Sequence, residues 1–276
     1  VGERTFDSNT TGDNNTAFGH MALRENETAN ENTAIGFNAL MANTTGGENT
    51  ALGNKALTAN TTGTRNIAIG ANALDACDTE NDNLAIGYSA MTTNNAGGIK
   101  NVVLGNYAGD AITSGDDNAG IGYQAITSVT GGSANYGVGT AALGSITTSS
   151  YNVGIGYSAG NHGINLADGD ANILIGEGAG DAITDSHNCV IIGHGAGTAL
   201  NDTDADGSVI IGYGAGAAIT NQQDNVLIGF AAGSETTGTS NTVIGDGAFS
   251  ASDNASSDNV YIGQNAGSGE DGGSIS

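Results

Sequence analysis

The chain has 276 residues, of which 47 are Gly and none is Pro or Trp; 12% are charged, and the formal net charge is −24. All five basic residues (Arg4, Arg24, Lys55, Arg65, Lys100) lie before position 101, and the 18 Asp and Glu beyond it have no Lys or Arg among them. That balance excludes nucleic acid as a partner and disfavours anionic membranes, because both need cations to displace counterions.

Residues 1–14 read as a degenerate first coil or a linker. Gly2 stands 17 positions before Gly19, but the Ala that follows every later glycine at +3 is missing. From position 15 to 267 a block of the form Asn-x-x-Ile-Gly-x-x-Ala recurs, with its glycine at 19, 36, 53, 70, 87, 105, 122, 139, 156, 176, 193, 212, 229, 245 and 263. Nine of the fourteen intervals are 17 and the others run from 16 to 20, so the period, not the length, decides the architecture. Residues 268–276 read as the start of a next segment. The first residue is Val and no leader precedes it, so the chain is expected to be a piece of a longer protein.

The columns carry physical meaning. In an early copy they are Asn32, Ile35, Gly36 and Ala39; in a late one, Asn225, Ile228, Gly229 and Ala232. The alanine, present in all fifteen copies, marks a close backbone approach. The glycine supplies a turn that other residues resist. The asparagine, replaced only by Cys189 and Ser208, suits a stacked amide ladder or a turn cap. Short β-branched clusters bounded by Gly and Asn are strands, not helices. The fold class is therefore all-β, a parallel β-roll or β-solenoid of fifteen coils with a repeat of about 17 residues. Each coil has room for two or three short strands. Spacers such as Asn43-Thr44-Thr45-Gly46 and Asn60-Thr61-Thr62-Gly63 are expected to be solvent-facing loops.

Two further columns trade volume. The residue two before the glycine and the one four after it are small then large in early copies (Ala34 with Leu40) and large then small in later ones (Ile191 with Gly197). Such exchange is expected where two side chains fill one space. A late strand such as Val226-Leu227-Ile228 is apolar on both faces, whereas a thin coil has one interior. The second face would form an apolar stripe, which association with copies of the same chain would bury. A monomeric solenoid with a two-layer core is the alternative.

The block Asn32-Thr33-Ala34-Ile35-Gly36-x-x-Ala39, with its kin and the Asn-Thr-Thr-Gly spacer, resembles the head repeats of YadA-like trimeric autotransporter adhesins. Very similar repeats occur in bacteriophage tail-fibre proteins. The resemblance implies a left-handed parallel β-roll, three of which pack around a common axis as a homotrimeric fibre. It also implies an extracellular setting, at a bacterial cell surface or on a virion. The period here is longer than the usual head repeat, which puts the cross-section of the coil in question.

Function is accordingly expected to be structural and adhesive, not enzymatic: a head or shaft segment of a fibre that meets a surface receptor or glycan still unnamed. A tail-fibre shaft is the first alternative and a monomeric solenoid binding a cation, glycan or ice the second. The four His (His20, His162, His187, His194) are scattered, and Cys77 and Cys189 fall about seven coils apart. No direct membrane insertion by this segment is expected, since no apolar run reaches spanning length. No cofactor is required; Ca²⁺ is the one candidate. Asp202-x-Asp204-x-Asp206-Gly207 matches the first half of a Ca²⁺ loop, but the closing Glu is absent and a solvated acidic loop is the rival reading. Asp168-Gly169-Asp170 is a weaker case. The aromatic residues just after the glycine (Phe37, Tyr88, Tyr123, Tyr157, Tyr213, Phe230) either stack on sugars or cover the coil edge.

Overall fold

The computed structural model describes residues 1–94, 96–161, 170–184, 186–200, 206–236, 238–250 and 256–268. The chain divides into two compact units, Val1–Asn135 and Tyr136–Ser276. The first contains β1 (Thr16–Phe18), β2 (Thr33–Ile35), β3 (Thr50–Leu52), β4 (Ile67–Ile69), β5 (Leu84–Ile86), β6 (Val102–Leu104) and β7 (Ala119–Ile121). The second contains β8 (Tyr136–Val138), β9 (Val153–Ile155), β10 (Ile173–Ile175), β11 (Val190–Ile192), β12 (Val209–Ile211), β13 (Val226–Ile228), β14 (Thr242–Ile244) and β15 (Val260–Ile262). Within each unit every strand pairs in parallel with the next in sequence, column against column: Ala34 faces Ala51, and Ile191 faces Ile210. Each unit is thus a parallel β-solenoid that repeats with the period of the column glycines, and no helix occurs among the described residues.

Among the described residues each coil holds one three-residue strand, not the two or three that its length could accommodate. The reason is a set of positive-φ residues at fixed places in every coil. In the coil of Gly36 these are Asn38 (φ 56), Leu40 (φ 47) and Glu48 (φ 61), and the glycine itself has φ 143. Extended backbone cannot run through such positions, so the coil turns at each. Parallel stacking continues regardless. Leu40 N–H donates to Ala56 O at 3.0 Å, Ala42 N–H to Thr58 O at 3.2 Å, and Thr44 N–H to Thr61 O at 2.9 Å.

The column glycines are required twice over. A Cβ on Gly36 would collide with the carbonyl oxygen of Gly53, and the same holds down each unit, as at Gly193 against Gly212. Both the backbone angle and the approach of the next coil forbid a side chain.

The interior lies behind the middle residue of each strand. Ala34, Leu40, Ile191 and Leu227 are fully buried. The volume-trading columns do meet. A Cβ on Gly180 would lie 2.8 Å from Leu174 Cδ2, and one on Gly197 3.1 Å from Ile191 Cδ1. In the one coil where both positions are glycine, the neighbouring coils fill the space. A Cβ on Gly154 would lie 2.6 Å from Leu143 Cγ, and one on Gly160 2.6 Å from Leu174 Cδ1.

The spacers depart from expectation. Asn43, Gly46, Asn60 and Gly63 are buried, not solvent-facing. Asn60 Nδ2 donates to Asn43 Oδ1 at 2.8 Å, Asn43 Nδ2 to Asn26 Oδ1 at 3.1 Å, and Asn26 Nδ2 to Asn9 Oδ1 at 2.8 Å. These residues form an amide ladder inside the solenoid, and only the threonines beside them reach the surface. The polarity of the spacer comes from a hydrogen-bonded column, which composition alone mimics as a loop.

Candidate functional surface

The asparagine four before each glycine locks one coil to the next. Asn32 Oδ1 accepts from Asn49 N–H at 2.9 Å, while Asn32 Nδ2 donates to Gly46 O at 2.9 Å. The arrangement repeats at Asn172, whose Oδ1 accepts from Cys189 N–H at 3.0 Å and whose Nδ2 donates to Ser186 O at 2.8 Å. Ser208 keeps both bonds in longer form: it donates to Gln222 O at 3.5 Å and accepts from Asn225 N–H at 3.3 Å. Asn32 and Asn225 are fully buried, as are Ala39 and Ala232. These columns hold the coils together from the interior.

The first and third residues of each strand point outward, a consequence of the two-residue period. With the middle residue buried, its neighbours form an apolar face in each unit. Ile35, Leu52, Ile67, Val102, Leu104 and Ile121 stand in it in the first unit; Val138, Ile155, Ile173, Val260 and Ile262 do so in the second. Leu52 and Leu104 are 44% and 45% exposed, and Ile228 is half-buried.

Beside this face, just past the glycine turn, runs the aromatic column. His194 and Tyr213 stack with centroids 5.1 Å apart, and Tyr213 and Phe230 at 5.3 Å, with planes within 8°. In the first unit His20 stacks on Phe37 at 5.3 Å. Tyr213 and Phe230 remain 56% and 57% exposed, so these rings pack on one another and still meet solvent. Each histidine also has a carboxylate nearby: Glu177 lies 3.8 Å from His194 Nε2, and Glu3 lies 4.0 Å from His20 Nε2.

Of the candidate Ca²⁺ ligands, Asp202 and Asp204 lie outside the described residues, as do Asp168 and His162. Asp206 is described, and its Oδ1 accepts from the backbone N–H of His187 at 2.6 Å. The same strap recurs at Asp170 to Ser150 N–H (2.6 Å), Asp116 to Ile99 N–H (2.8 Å) and Asn81 to Thr64 N–H (2.7 Å). A column six before the glycine, polar in most coils but Gly47 and Ile99 in two, therefore ties many coils to their predecessors, and Asp206 belongs to it. Sequence reasoning missed this column because Asn, Asp, Ser and His serve interchangeably there, so no single letter repeats. The inner ladder of Asn26, Asn43 and Asn60 did carry a signal, the same residue type recurring with the period of the glycines. Among the described residues no three His, Cys, Asp or Glu side chains are grouped as a metal site.

Cys77 and Cys189 are buried thiols. Burial raises both, with Cys189 pushed up to about 11 and Cys77 further. Buried thiols of this kind are poor nucleophiles. The backbone carbonyl of His187 lies 3.6 Å from Cys189 Sγ, while the His187 Nδ1 accepts from Asp170 N–H at 3.1 Å.

No protein-family model matches the chain, and neither the curated proteins nor the solved structures give a match.

Proposed function

We propose that this chain is a non-catalytic structural segment of an adhesive fibre, in which copies of the chain pack through their outward strand faces. The resemblance of its repeats to trimeric adhesin heads sets the number at three and the setting at a cell or virion surface. The observation that supports this reading is the apolar face itself. Side chains such as Leu52, Leu104 and Ile155 stand outward, coil after coil, on a chain of net charge −24. A soluble chain rarely leaves a contiguous apolar surface of that kind uncovered. Repetition would also serve adhesion, because many weak contacts on one fibre raise avidity without a strong single site.

The test is the solution mass by light scattering after gel filtration, at low and high salt. Three times the chain mass of 27.0 kDa is expected, with association strengthened by salt because like-charged chains repel at long range. Leu104→Asp, at an exposed position, should leave the fold intact and shift the mass toward one chain. A wild-type mass of one chain under both conditions would overturn the proposal in favour of a monomeric solenoid.

A further inference from the structure

Aromatic residues of the column just after the glycine stack face to face where they fall in register, as Tyr213 and Phe230 do with planes 6° apart. One cluster breaks this rule. Tyr88 and Tyr123 stand one residue after their glycines, but Tyr107 stands two after Gly105, with Asn106 in the column instead. Asn106 Oδ1 accepts from the Tyr88 backbone N–H at 2.8 Å, which fixes the offset. Tyr107 itself takes a positive φ of 58. Its ring lies steeply inclined to both neighbours, at 5.4 Å and 76° from Tyr88 and 6.0 Å and 85° from Tyr123. The three rings are 46%, 36% and 48% exposed. Among the described residues these are the only tyrosine rings in contact with one another; Tyr213 has His194 and Phe230 instead, and Tyr261 has Phe249.

We propose that Tyr88, Tyr107 and Tyr123 form an oxidative cross-linking site, at which hydrogen peroxide acting with a peroxidase couples Tyr107 to Tyr88 or to Tyr123 within one chain. Each of two phenols gives up one electron and one proton, leaving phenoxyl radicals with spin density on the carbons ortho to oxygen. Those carbons join in one new C–C bond. The two ring hydrogens leave as protons as the rings regain aromaticity, and each oxygen takes up one proton to restore its hydroxyl. Overall, two ring C–H bonds are lost, and one peroxide takes up two electrons and two protons to become two waters.

Held neighbours favour this path over coupling between chains, because the reacting groups already share a high effective concentration. In these steeply inclined contacts the edge of one ring, where its coupling carbons lie, meets the neighbouring ring, whereas rings of the stacked column meet face to face. The soft groups nearest in sequence are withdrawn: Cys77 and Met91 are fully buried. The product would strap successive coils covalently beside the interval from Gly87 to Gly105, which is one position longer than its neighbours on either side. Closing such a loop stabilises a chain by restricting its unfolded state. The cluster lies past the glycine turn and not on the strand face, so the proposal does not rest on association of copies.

The whole chain is oxidised at low concentration with peroxidase and hydrogen peroxide, and dityrosine fluorescence is read in the single-chain band of a denaturing gel. Peptide mapping should find Tyr107 joined to Tyr88 or Tyr123 with the loss of two hydrogens, at a yield independent of protein concentration. Tyr107→Phe keeps the ring and the fold, and should lose nearly all of the single-chain signal; Tyr213→Phe should keep it. Wild-type signal in Tyr107→Phe would overturn the proposal. So would links formed only between chains, or tyrosine consumed without dityrosine.

Discussion

The coils of Gly36, Gly53 and Gly70 in the first unit and those of Gly176, Gly193 and Gly212 in the second enclose one kind of interior by opposite means. In the early coils the strand contributes Ala (Ala34, Ala51, Ala68) and the turn contributes Leu (Leu40, Leu57, Leu74). Those leucines adopt φ of 47, 53 and 49, a conformation that costs a non-glycine residue about 1–2 kcal/mol. In the late coils the strand supplies Leu174, Ile191 and Ile210, and the turn residue is Gly180, Gly197 or Gly216, with φ near 60. Large residues there occupy the backbone that suits them, and glycine takes the positive φ. A second column changes with the first. Seven after the glycine the early coils have Asn43, Asn60 and Cys77, whereas the late ones have Ile183, Leu200 and Ile219, all buried. Hydrogen-bonded ladders are directional and demand a fixed register, and the intervals from Gly19 to Gly87 are all 17. Apolar packing tolerates slack, and the intervals from Gly156 onward vary from 16 to 20.

The largest effect that would test this picture concerns the one feature both regions share. Gly36→Ala combines a forbidden φ, costing about 1–3 kcal/mol, with a backbone clash of similar size, so a loss of about 4 kcal/mol is expected. Gly214→Ala, with φ 60 and open space around its Cβ, should cost only about 1–2 kcal/mol. Because solenoid coils can open separately, hydrogen exchange at neighbouring amides is the proper reading of both. Equal losses at the two sites would show that close approach between coils does not matter.

Leu40→Ala should follow, costing about 2–5 kcal/mol for the cavity it leaves. Converting the early coil to the late arrangement, Ala34→Leu with Leu40→Gly, should recover most of that loss. Ala34→Leu alone should destabilise by overpacking, so the double-mutant cycle should show a coupling of about 1 kcal/mol or more. Additive losses would mean that the two columns do not share a volume.

A smaller effect, of opposite sign, is expected where the amide ladder breaks. Asn60 Oδ1 is buried without a hydrogen-bond partner, because the residue that should donate to it is Cys77. The thiol instead approaches Glu80 O at 3.9 Å. Cys77→Asn extends the ladder by one rung and should stabilise the first unit by about 1 kcal/mol. A loss of stability would show that the ladder cannot propagate past Asn60.

How much of this was legible follows from which columns repeat a letter. Gly and Asn recur because each meets a demand few other residues meet: Gly36 makes the turn against Gly53 and Asn32 bonds to the next coil, while Ala39 is buried. The exchange between Ala34 and Leu40 was legible as well, since constant volume shows even when identity does not. Strand count and loop exposure were not. Nothing in the letters reveals that Leu40 and Glu48 take positive φ, which limits each coil to one short strand. Nor does a polar run such as Asn43-Thr44-Thr45 announce that its first residue points inward and the next two outward. The strap that uses Asp206 was hidden for a different reason, because any side-chain oxygen, or the ring nitrogen of His187, satisfies it.

The smallest expected effect lies on the surface, where the first unit has cations and the second has none. Arg65 stands opposite Asp82 one coil away, with Nε 2.6 Å from Oδ1 and a second nitrogen 2.9 Å from Oδ2. The hydrogen bonds and charge of the guanidinium hold the Asp82 carboxyl below its ordinary value of 3.8. A carboxylate depressed in the folded state adds stability above its unfolded pKa, and the gain fades as the pH falls through the folded value. The window is therefore acidic, and the contribution is constant at neutral pH. Titration of Asp82 by NMR should show a midpoint below that of other exposed aspartates, and Arg65→Gln should return it to the ordinary range. Salt should narrow the difference, because an exposed pair is screened. An unshifted Asp82 at low salt would show that the two side chains do not hold this pairing in solution, and that Arg65 contributes to the unit's net charge alone.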